Sequence, residues 1–401
     1  MDVRTPDLPV PARPEPTADH VAEARALIPL LRQAGPRIDA ARELPPDVLD
    51  TMHARQMFRL LVPRSLGGAE LDPATYVQAV EAIAIGDAST AWCMNQNSGC
   101  SMTAAYLAPH VARHVFGGER DVLAWGQARG RARAVKEPGG WRVTGTWLFA
   151  SGSRHATWLG AHCPITEGEG NQNRDSDGNV TERTLLLPRE KAQIDDVWHV
   201  VGLRGTGSDT YSVEDLFVPD DYALCRDNAS ERREPGLLYR FSTLNIYASG
   251  FGAVGLGIAR GMLDAFVALA TKKTPYGSAA MRDSAVVQSL VGLGDAKLRS
   301  ARSWLIQTLE SVQDSVAERG HLTVQDRLDI RQASTFAIHQ AREVVNSVWH
   351  EAGATAIFET GPFERRFRDM NTVSQQVQGR ASHFETVGLH MLGGQPNLRW
   401  L

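Results

Sequence analysis

Twelve consecutive residues, Ala248-Ser249-Gly250-Phe251-Gly252-Ala253-Val254-Gly255-Leu256-Gly257-Ile258-Ala259, are almost all small or apolar. A segment so poor in charge belongs inside a protein, where small side chains let neighbouring backbones come close. Each glycine costs about 1 kcal/mol of intrinsic helix propensity. A helix here must therefore be held by packing on several sides, which predicts a buried helix at the centre of a bundle. The surrounding chain is large enough for that: 401 residues, 43% hydrophobic and 22% charged. The net charge of -4 comes from mixed acids and bases, so there is no electrostatic footprint for a nucleic-acid partner. No run of eighteen wholly apolar residues occurs, and no membrane span is expected. Residues 1–19 are rich in Pro and charge, lack a secretory signal, and are expected to form a flexible arm. Cys93, Cys100, Cys163 and Cys225 form no CxxC pair, which fits reduced thiols and a cytoplasmic protein.

Three zones follow the arm. Residues 20–122 read as an N-terminal helical domain. Val21, Ala24, Ile28 and Leu31 recur near the 3.6-residue period, with Pro29 predicting a break. Pro45-Pro46 and Asp72-Pro73 each open a helix, and the N-cap chemistry of Gly86-Asp87-Ala88-Ser89-Thr90 precedes a helix expected from Ala91-Trp92. Residues 123–235 switch to period two and read as a central β domain, a barrel or sandwich, with a polar loop over 167–182. Residues 236–401 return to helix as a C-terminal four-helix bundle, with long helices over 286–319 and 324–352. The fold class expected is α+β.

The densest signal in the β zone is Gly140-Trp141-Arg142-Val143-Thr144-Gly145-Thr146-Trp147-Leu148-Phe149-Ala150-Ser151-Gly152-Ser153. It reads as a strand, a turn containing Gly145, a second strand, and a small-residue corner at Ser151 where a backbone can approach a flat ligand. This stretch resembles the flavin-facing strands of the acyl-CoA dehydrogenase fold. Gly202-Leu203-Arg204-Gly205-Thr206-Gly207-Ser208, Lys273-Thr274-Pro275-Tyr276-Gly277 and Glu364-Arg365-Arg366-Phe367-Arg368-Asp369 resemble later segments of the same fold, in the same order. The resemblance spans roughly residues 20 to 395. It implies an acyl-CoA dehydrogenase-like architecture, a bound flavin, and a homo-oligomer, a tetramer built from dimers.

Dehydrogenases of this fold need a carboxylate to remove a weakly acidic C–H proton. The two positions where the resemblance places that base read Met370-Asn371-Thr372-Val373-Ser374-Gln375-Gln376-Val377-Gln378-Gly379 and Ser242-Thr243-Leu244-Asn245, and neither contains an acid. Residues Phe149 to Trp158 and Arg204 to Ser208 instead resemble the flavin-dependent monooxygenases of the fold. That resemblance implies an oxygenase component that receives reduced flavin, FMN or FAD, from a separate NAD(P)H:flavin reductase. It implies reaction with O2 to a C4a-hydroperoxyflavin and oxygenation of a small organic substrate. An acyl-CoA dehydrogenase or oxidase is the alternative. Ser151 is expected to control the flavin N5 proton. Gln376 stands where many of these oxygenases carry a histidine, and His383, seven residues on, is a second candidate for that role. Trp125, Gln127, Lys273 and Arg368 are expected at the flavin, and Asp369 in a structural ion pair. Trp92, Asn97 and Phe149 are expected at the substrate, with Trp92, Trp125 and Phe149 as an apolar wall against water. No GxGxxG loop and no HExxH occur, so neither a nicotinamide site nor a metal is expected.

Overall fold

The computed structural model describes residues 19–130, 132–167, 171–172, 181–277 and 279–397. The expected N-terminal arm up to residue 18 and most of the polar loop after 167 lie outside the described residues. Six helices come first: α1 (His20–Ala26), α2 (Ile28–Ala41), α3 (Pro46–Ala54), α4 (Pro73–Gly86), α5 (Ala88–Ser101) and α6 (Pro109–Phe116). The break between α1 and α2 falls at Leu27, because Pro29 fits only the first turn of a new helix. Asp72 and Asp87 cap α4 and α5, each accepting the backbone N–H three residues on. With Asp87 as its cap, α5 starts at Ala88, three residues earlier than expected.

Ten strands follow: β1 (Leu123–Trp125), β2 (Gln127–Ala128), β3 (Arg133–Glu137), β4 (Gly140–Ala150), β5 (Trp158–Glu167), β6 (Asn171–Gln172), β7 (Glu182–Pro188), β8 (Gln193–Asp195), β9 (Asp209–Pro219) and β10 (Ala223–Leu224). The main path is β10-β7-β5-β3-β4-β9-β8. β5 pairs with β7 from Trp158 to Pro164 and with β3 only at Ile165 and Thr166, so it passes from one layer into the other. The strand–turn–strand expected over 140–150 is one strand. β4 runs through Gly145, which marks a shift in pairing with β9 and not a turn. A Cβ at Gly145 would come within 2.8 Å of Ala132 and Trp147, so this bulge requires glycine.

Five helices close the chain: α7 (Thr243–Ala270), α8 (Ala285–Arg319), α9 (Val324–Ala352), α10 (Glu364–Val373) and α11 (Ser382–Met391). α7 contains the small-residue run and packs on α4, α5, α8, α9 and α10, as a central helix should. By length and composition it is apolar enough to cross a membrane, although its scattered polar residues keep it from being a wholly apolar run. Its most apolar window is 67% buried within the protein, and that burial accounts for the composition.

The glycines of α7 are not equivalent. A Cβ on Gly257 would lie 2.4 Å from the backbone oxygen of Glu81 and 2.5 Å from the Ala84 Cβ on α4. A Cβ on Gly255 would meet nothing closer than 3.5 Å. Alanine gains about 1 kcal/mol of helix propensity at either site, but overpacking against a fixed backbone costs about 1–3 kcal/mol. Gly257→Ala is therefore expected to lower the melting temperature and Gly255→Ala to leave it unchanged or raise it, read by thermal unfolding of the two variants side by side.

Candidate active site

The site begins with a backbone that few residues tolerate. Phe149, at the end of β4, has φ 59°, and Gly152 has φ 78°. Leu203 and Gly207 in the facing loop have φ 53° and 48°. Left-handed non-glycine residues cost free energy and persist where surrounding contacts hold them. Here the holders are visible. Gly152 N–H donates to the Thr206 carbonyl (3.0 Å), joining the two turns. Leu203 N–H donates to Asp369 Oδ1 at 2.6 Å. Arg368 donates to the Val201 carbonyl at 2.7 Å. Two consecutive residues of α10 thus fix the loop from Val201 to Ser208 by its backbone.

Between these turns lies a row of buried hydroxyls. Trp92 Nε1 donates to Ser151 Oγ (3.0 Å), Ser151 Oγ lies 2.6 Å from Ser208 Oγ, and Ser208 Oγ lies 2.7 Å from Thr206 Oγ1. Thr206 Oγ1 is 2.8 Å from the Leu203 carbonyl. A carbonyl only accepts, so the Thr206 hydrogen points to Leu203. Thr206 must then accept from Ser208, and Ser208 from Ser151. The direction of the whole row follows: Trp92 to Ser151 to Ser208 to Thr206 to Leu203. Ser151 has one hydrogen, already committed, and one lone pair left. It can accept one more hydrogen bond and cannot donate one.

An aromatic row continues from Trp92. Its ring lies 4.1 Å from Phe251, Phe251 is 6.0 Å from Tyr247, and Tyr247 is 6.4 Å from Trp125. Phe251 and Tyr247 stand four apart on α7, so they share a face. All four rings are buried. Every residue of α5 is buried except Gln96, whose Nε2 is 3.4 Å from Tyr247 Oη. Gln96 is therefore the one residue of α5 with partial exposure, and it lies beside the aromatic row. Trp92, Phe251, Tyr247 and Trp125 contain no carboxylate, so the row supplies no base.

The expected site residues separate into groups. Ser151, Trp92 and Trp125 come together as described. Gln127 is exposed on β2 and pairs in register with Leu148, next to Phe149. Phe149 is not part of a closed apolar wall. It is 59% exposed on a left-handed backbone, and its one ring contact among the described residues is Trp198 at 6.2 Å. The Asn97 amide is engaged within the chain. Its Nδ2 donates to the Leu123 carbonyl (3.1 Å) and its Oδ1 is 3.0 Å from His155 Nε2, so it braces the turn containing Ser151. Burial drives the His155 pKa down to about 3, which keeps the ring neutral and makes Nε2–H the donor to Asn97.

Lys273, Arg368, Gln376 and His383 are engaged elsewhere in the chain. Lys273 Nζ donates to Thr355 Oγ1 (2.7 Å) and to the Ala352 carbonyl at the end of α9. Arg368 is clamped by Asp39 and Glu364. Burial alone would lower its pKa, but those two carboxylates outweigh it and raise the value. Gln376 Oε1 caps a short turn by accepting from Gln378 N–H (2.6 Å). His383 is not on the same helix as Gln376, since the turn Val377–Gly379 intervenes. Its Nε2 lies 2.7 Å from the Val377 carbonyl, and its ring lines a surface groove of about 320 Å³ that shares no residue with the aromatic row. Among the described residues, no hydrogen bond links either side chain to Ser151. Asp369 makes no salt bridge within 4.0 Å among the described residues; it holds the Leu203 backbone instead.

Sequence reading missed Ser208 and Thr206 as partners of Ser151, and Tyr247 and Phe251 as the α7 contribution. The signal for the latter was present. They are the aromatic residues in a stretch of otherwise small ones, four apart.

This geometry is that of a flavoprotein scaffold, and the comparisons agree. Residues 26–110 match the acyl-CoA dehydrogenase N-terminal domain and residues 249–378 its C-terminal domain. The chain belongs to the acyl-CoA dehydrogenase family, in its branch of flavin-dependent monooxygenases. It is 30% identical to indole-3-acetate monooxygenase from Pseudomonas putida, over 89% of this chain and 90% of that one. It is 26% identical to the oxygenase component of an FADH2-dependent resorcinol hydroxylase from a Rhizobium species, over 97% of both. The solved structure of 3-HSA hydroxylase from Rhodococcus sp. RHA1 has the same fold, with TM-score 0.87 at 24% identity, covering 96% of this chain and 100% of that one.

Burial raises the Asp369 carboxyl pKa to about 7, with Asp87 adding to it and the Leu203 N–H opposing it. An unfolded carboxyl titrates at about 3.9, and each pH unit separating the folded from the unfolded value corresponds to about 1.36 kcal/mol. The folded protein therefore prefers the protonated form. That contribution is complete below about pH 4 and is lost as pH rises through about 7, on the order of a few kcal/mol. Asp369→Asn keeps the acceptor for Leu203 and has no proton to lose. Melting curves at pH 5 and pH 8.5 are expected to show the variant gaining on the wild type at the higher pH.

Proposed function

We propose that the chain is the oxygenase component of a two-component system, fed reduced flavin by a separate NAD(P)H:flavin reductase and oxygenating a small aromatic molecule. The observation that carries the reading is the fixed direction of the hydroxyl row. Ser151 offers a single lone pair at the edge of an aromatic row, and the four rings of that row contain no carboxylate. Bound reduced flavin supplies the electrons that activate dioxygen. Ser151, the exposed Phe149 and Gln127 beside it would hold the ring. Phe149, Val197 and Val201 present the exposed apolar surface that a flat ring would cover. The Ser151 lone pair suits a ligand N–H, and because Ser151 cannot donate, it holds that proton in place without competing for it. Trp92, Phe251 and Trp125 keep water from the enclosure.

The relatives named for indole-3-acetate and resorcinol support an aromatic substrate here. The dehydrogenase alternative lacks its base. Asp369 is the buried carboxyl of raised pKa nearest in role, but it is spent on the Leu203 backbone. Lys273 and Arg368 remain proposed contacts for the flavin phosphate, reached only if another copy of the chain or the ligand displaces their present partners. Gln376 and His383 remain proposed for the oxygen-binding side under the same condition. The assembly we propose is a homotetramer of dimers. Exposed Val286 and Leu293 on α8, Ile357 and Phe358 after α9, and Met391 and Leu392 at the end of α11 supply apolar surface for it. Its four thiols are unpaired, which fits the cytoplasm as its compartment.

Two measurements test this. Ser151→Ala is expected to lower product formed per reduced flavin consumed several-fold, with excess peroxide and an unchanged melting curve. Ser208→Ala, which frees the Ser151 hydrogen, should shift coupling in the same direction by less; unchanged coupling in both removes the hydroxyl row from the mechanism. Light scattering on the purified protein is expected to give four times the 43.8 kDa chain mass; a monomer overturns the assembly.

A further inference from the structure

The end of the aromatic row farthest from Ser151 carries one buried donor with no partner among the described residues, His162 Nε2, and beside it a guanidinium with no carboxylate partner among them. β1 and β5 pair Trp125 with Gly160, and β5 and β7 pair His162 with Thr184. Gly160 and His162 are two apart on β5, so Trp125, His162 and Thr184 share one face of the sheet. Leu224 pairs with Thr184, and Arg226 follows two residues later. The Trp125 ring crosses Gly160 so closely that a Cβ there would sit 2.9 Å from it. His162 packs edge-on to Trp125 at 4.7 Å, and the Arg226 guanidinium lies 5.0 Å from the Trp125 ring centre.

Arg226 Nε donates to Thr184 Oγ1 at 3.1 Å, and among the described residues no carboxylate lies within 4.0 Å of its guanidinium. The acids nearest in sequence are taken. Asp227 accepts from Thr243 at the start of α7, and Glu231 accepts from Arg183 and from Cys225 N–H. Thr184 Oγ1 also lies 2.7 Å from His162 Nδ1. With Arg226 donating to Thr184, the Thr184 hydrogen is free to go to Nδ1, and the neutral ring then carries its proton on Nε2. His162 Nε2 is buried with no partner. A guanidinium and an imidazole thus both lie against one tryptophan, the imidazole with a buried N–H that has no acceptor among the described residues and the guanidinium with no carboxylate among them. Arg226 also lies near enough to Cys100 and Tyr247 to act on them electrostatically. Leaving the buried His162 Nε2–H without an acceptor costs free energy, whereas the part-buried Arg226 lacks only a carboxylate partner among the described residues. A carboxylate supplies what both lack, and a planar guanidinium suits it in particular.

We propose that the site takes a small aromatic molecule bearing a carboxylate, its ring along Trp92, Phe251, Tyr247 and Trp125 and its carboxylate received by Arg226 and His162. The inference rests on the oxygenase reading for where the substrate lies, and not for the chemistry of the donors. The test is equilibrium binding, by calorimetry on the full-length protein, of indole-3-acetate and of the uncharged indole-3-acetamide. The acid is expected to bind at least about tenfold more tightly than the amide. Arg226→Gln should abolish that preference, the acid losing more affinity than the amide, and Arg226→Lys should keep part of it. Equal affinity for acid and amide in the wild type overturns the proposal without recourse to a variant, and so does a preference that survives Arg226→Gln. Turnover with reduced flavin separates this from the function proposed above. Oxygenation of the amide with no preference for the acid removes the carboxylate clamp alone. Tight acid binding with no oxygenated product from either compound supports the clamp and removes the oxygenase.

Discussion

Asp369 and Arg368 grip one loop by two of its backbone groups, the Leu203 N–H and the Val201 carbonyl, and the geometry at Ser151 descends from that grip. A left-handed Leu203 is costly on its own. The buried Asp369 oxygen at 2.6 Å holds it, and Leu203 in turn presents its carbonyl to Thr206 and to Trp198 Nε1. With both donors in place, the carbonyl orients Thr206, and Thr206 orients Ser208 and Ser151. The bundle therefore decides which way a hydroxyl points in the β domain. Arg368 is well suited to the anchoring role because Asp39 and Glu364 already hold it from α2 and α10.

Each hydrogen bond in the hydroxyl row contributes about 1 kcal/mol net. Its value lies less in that sum than in its direction. A hydroxyl free to rotate would offer a ligand either a donor or an acceptor, whereas a committed one offers only a lone pair. Seclusion makes this distinction matter, since water would supply both roles and blur it. Ser151, Thr206 and Ser208 are each 4% exposed or less, and the indole of Trp92 occupies one of the two lone pairs of Ser151.

Much of the architecture was legible in the residues. The capping aspartates, the prolines at helix starts and the period-two zone placed most elements, because these signals act over a few residues. The central position of α7 was legible because only packing can offset its glycines. Gly145 misled, since a turn and a bulge ask the same thing of a glycine, and only the pairing of β4 with β9 distinguishes them. The start of α5 misled because two residues in one stretch had cap chemistry. Of the candidate site, Ser151 was singled out by the motif and Trp92 as part of an apolar wall, and the fold brings the two within hydrogen-bond distance. Asn97 looked free because its partners, Leu123 and His155, are 26 and 58 residues away along the chain. Arg226 was invisible for the opposite reason: that it meets no carboxylate among the described residues shows only when the sheet has folded around it.

The burial of α7 also says something about how this chain comes to be. Its partners on one side, α4 and α5, precede it by the whole β domain, and those on the other, α8, α9 and α10, follow it. Neither helical segment can enclose it alone. While the ribosome is still making α8, this greasy rod has half a coat, and the contacts that finish it span most of the polypeptide. Assembly must then be a late event, gated by the last third of synthesis, and the exposed helix in the interval is the natural place for a holdase to bind or for neighbouring nascent chains to stick together.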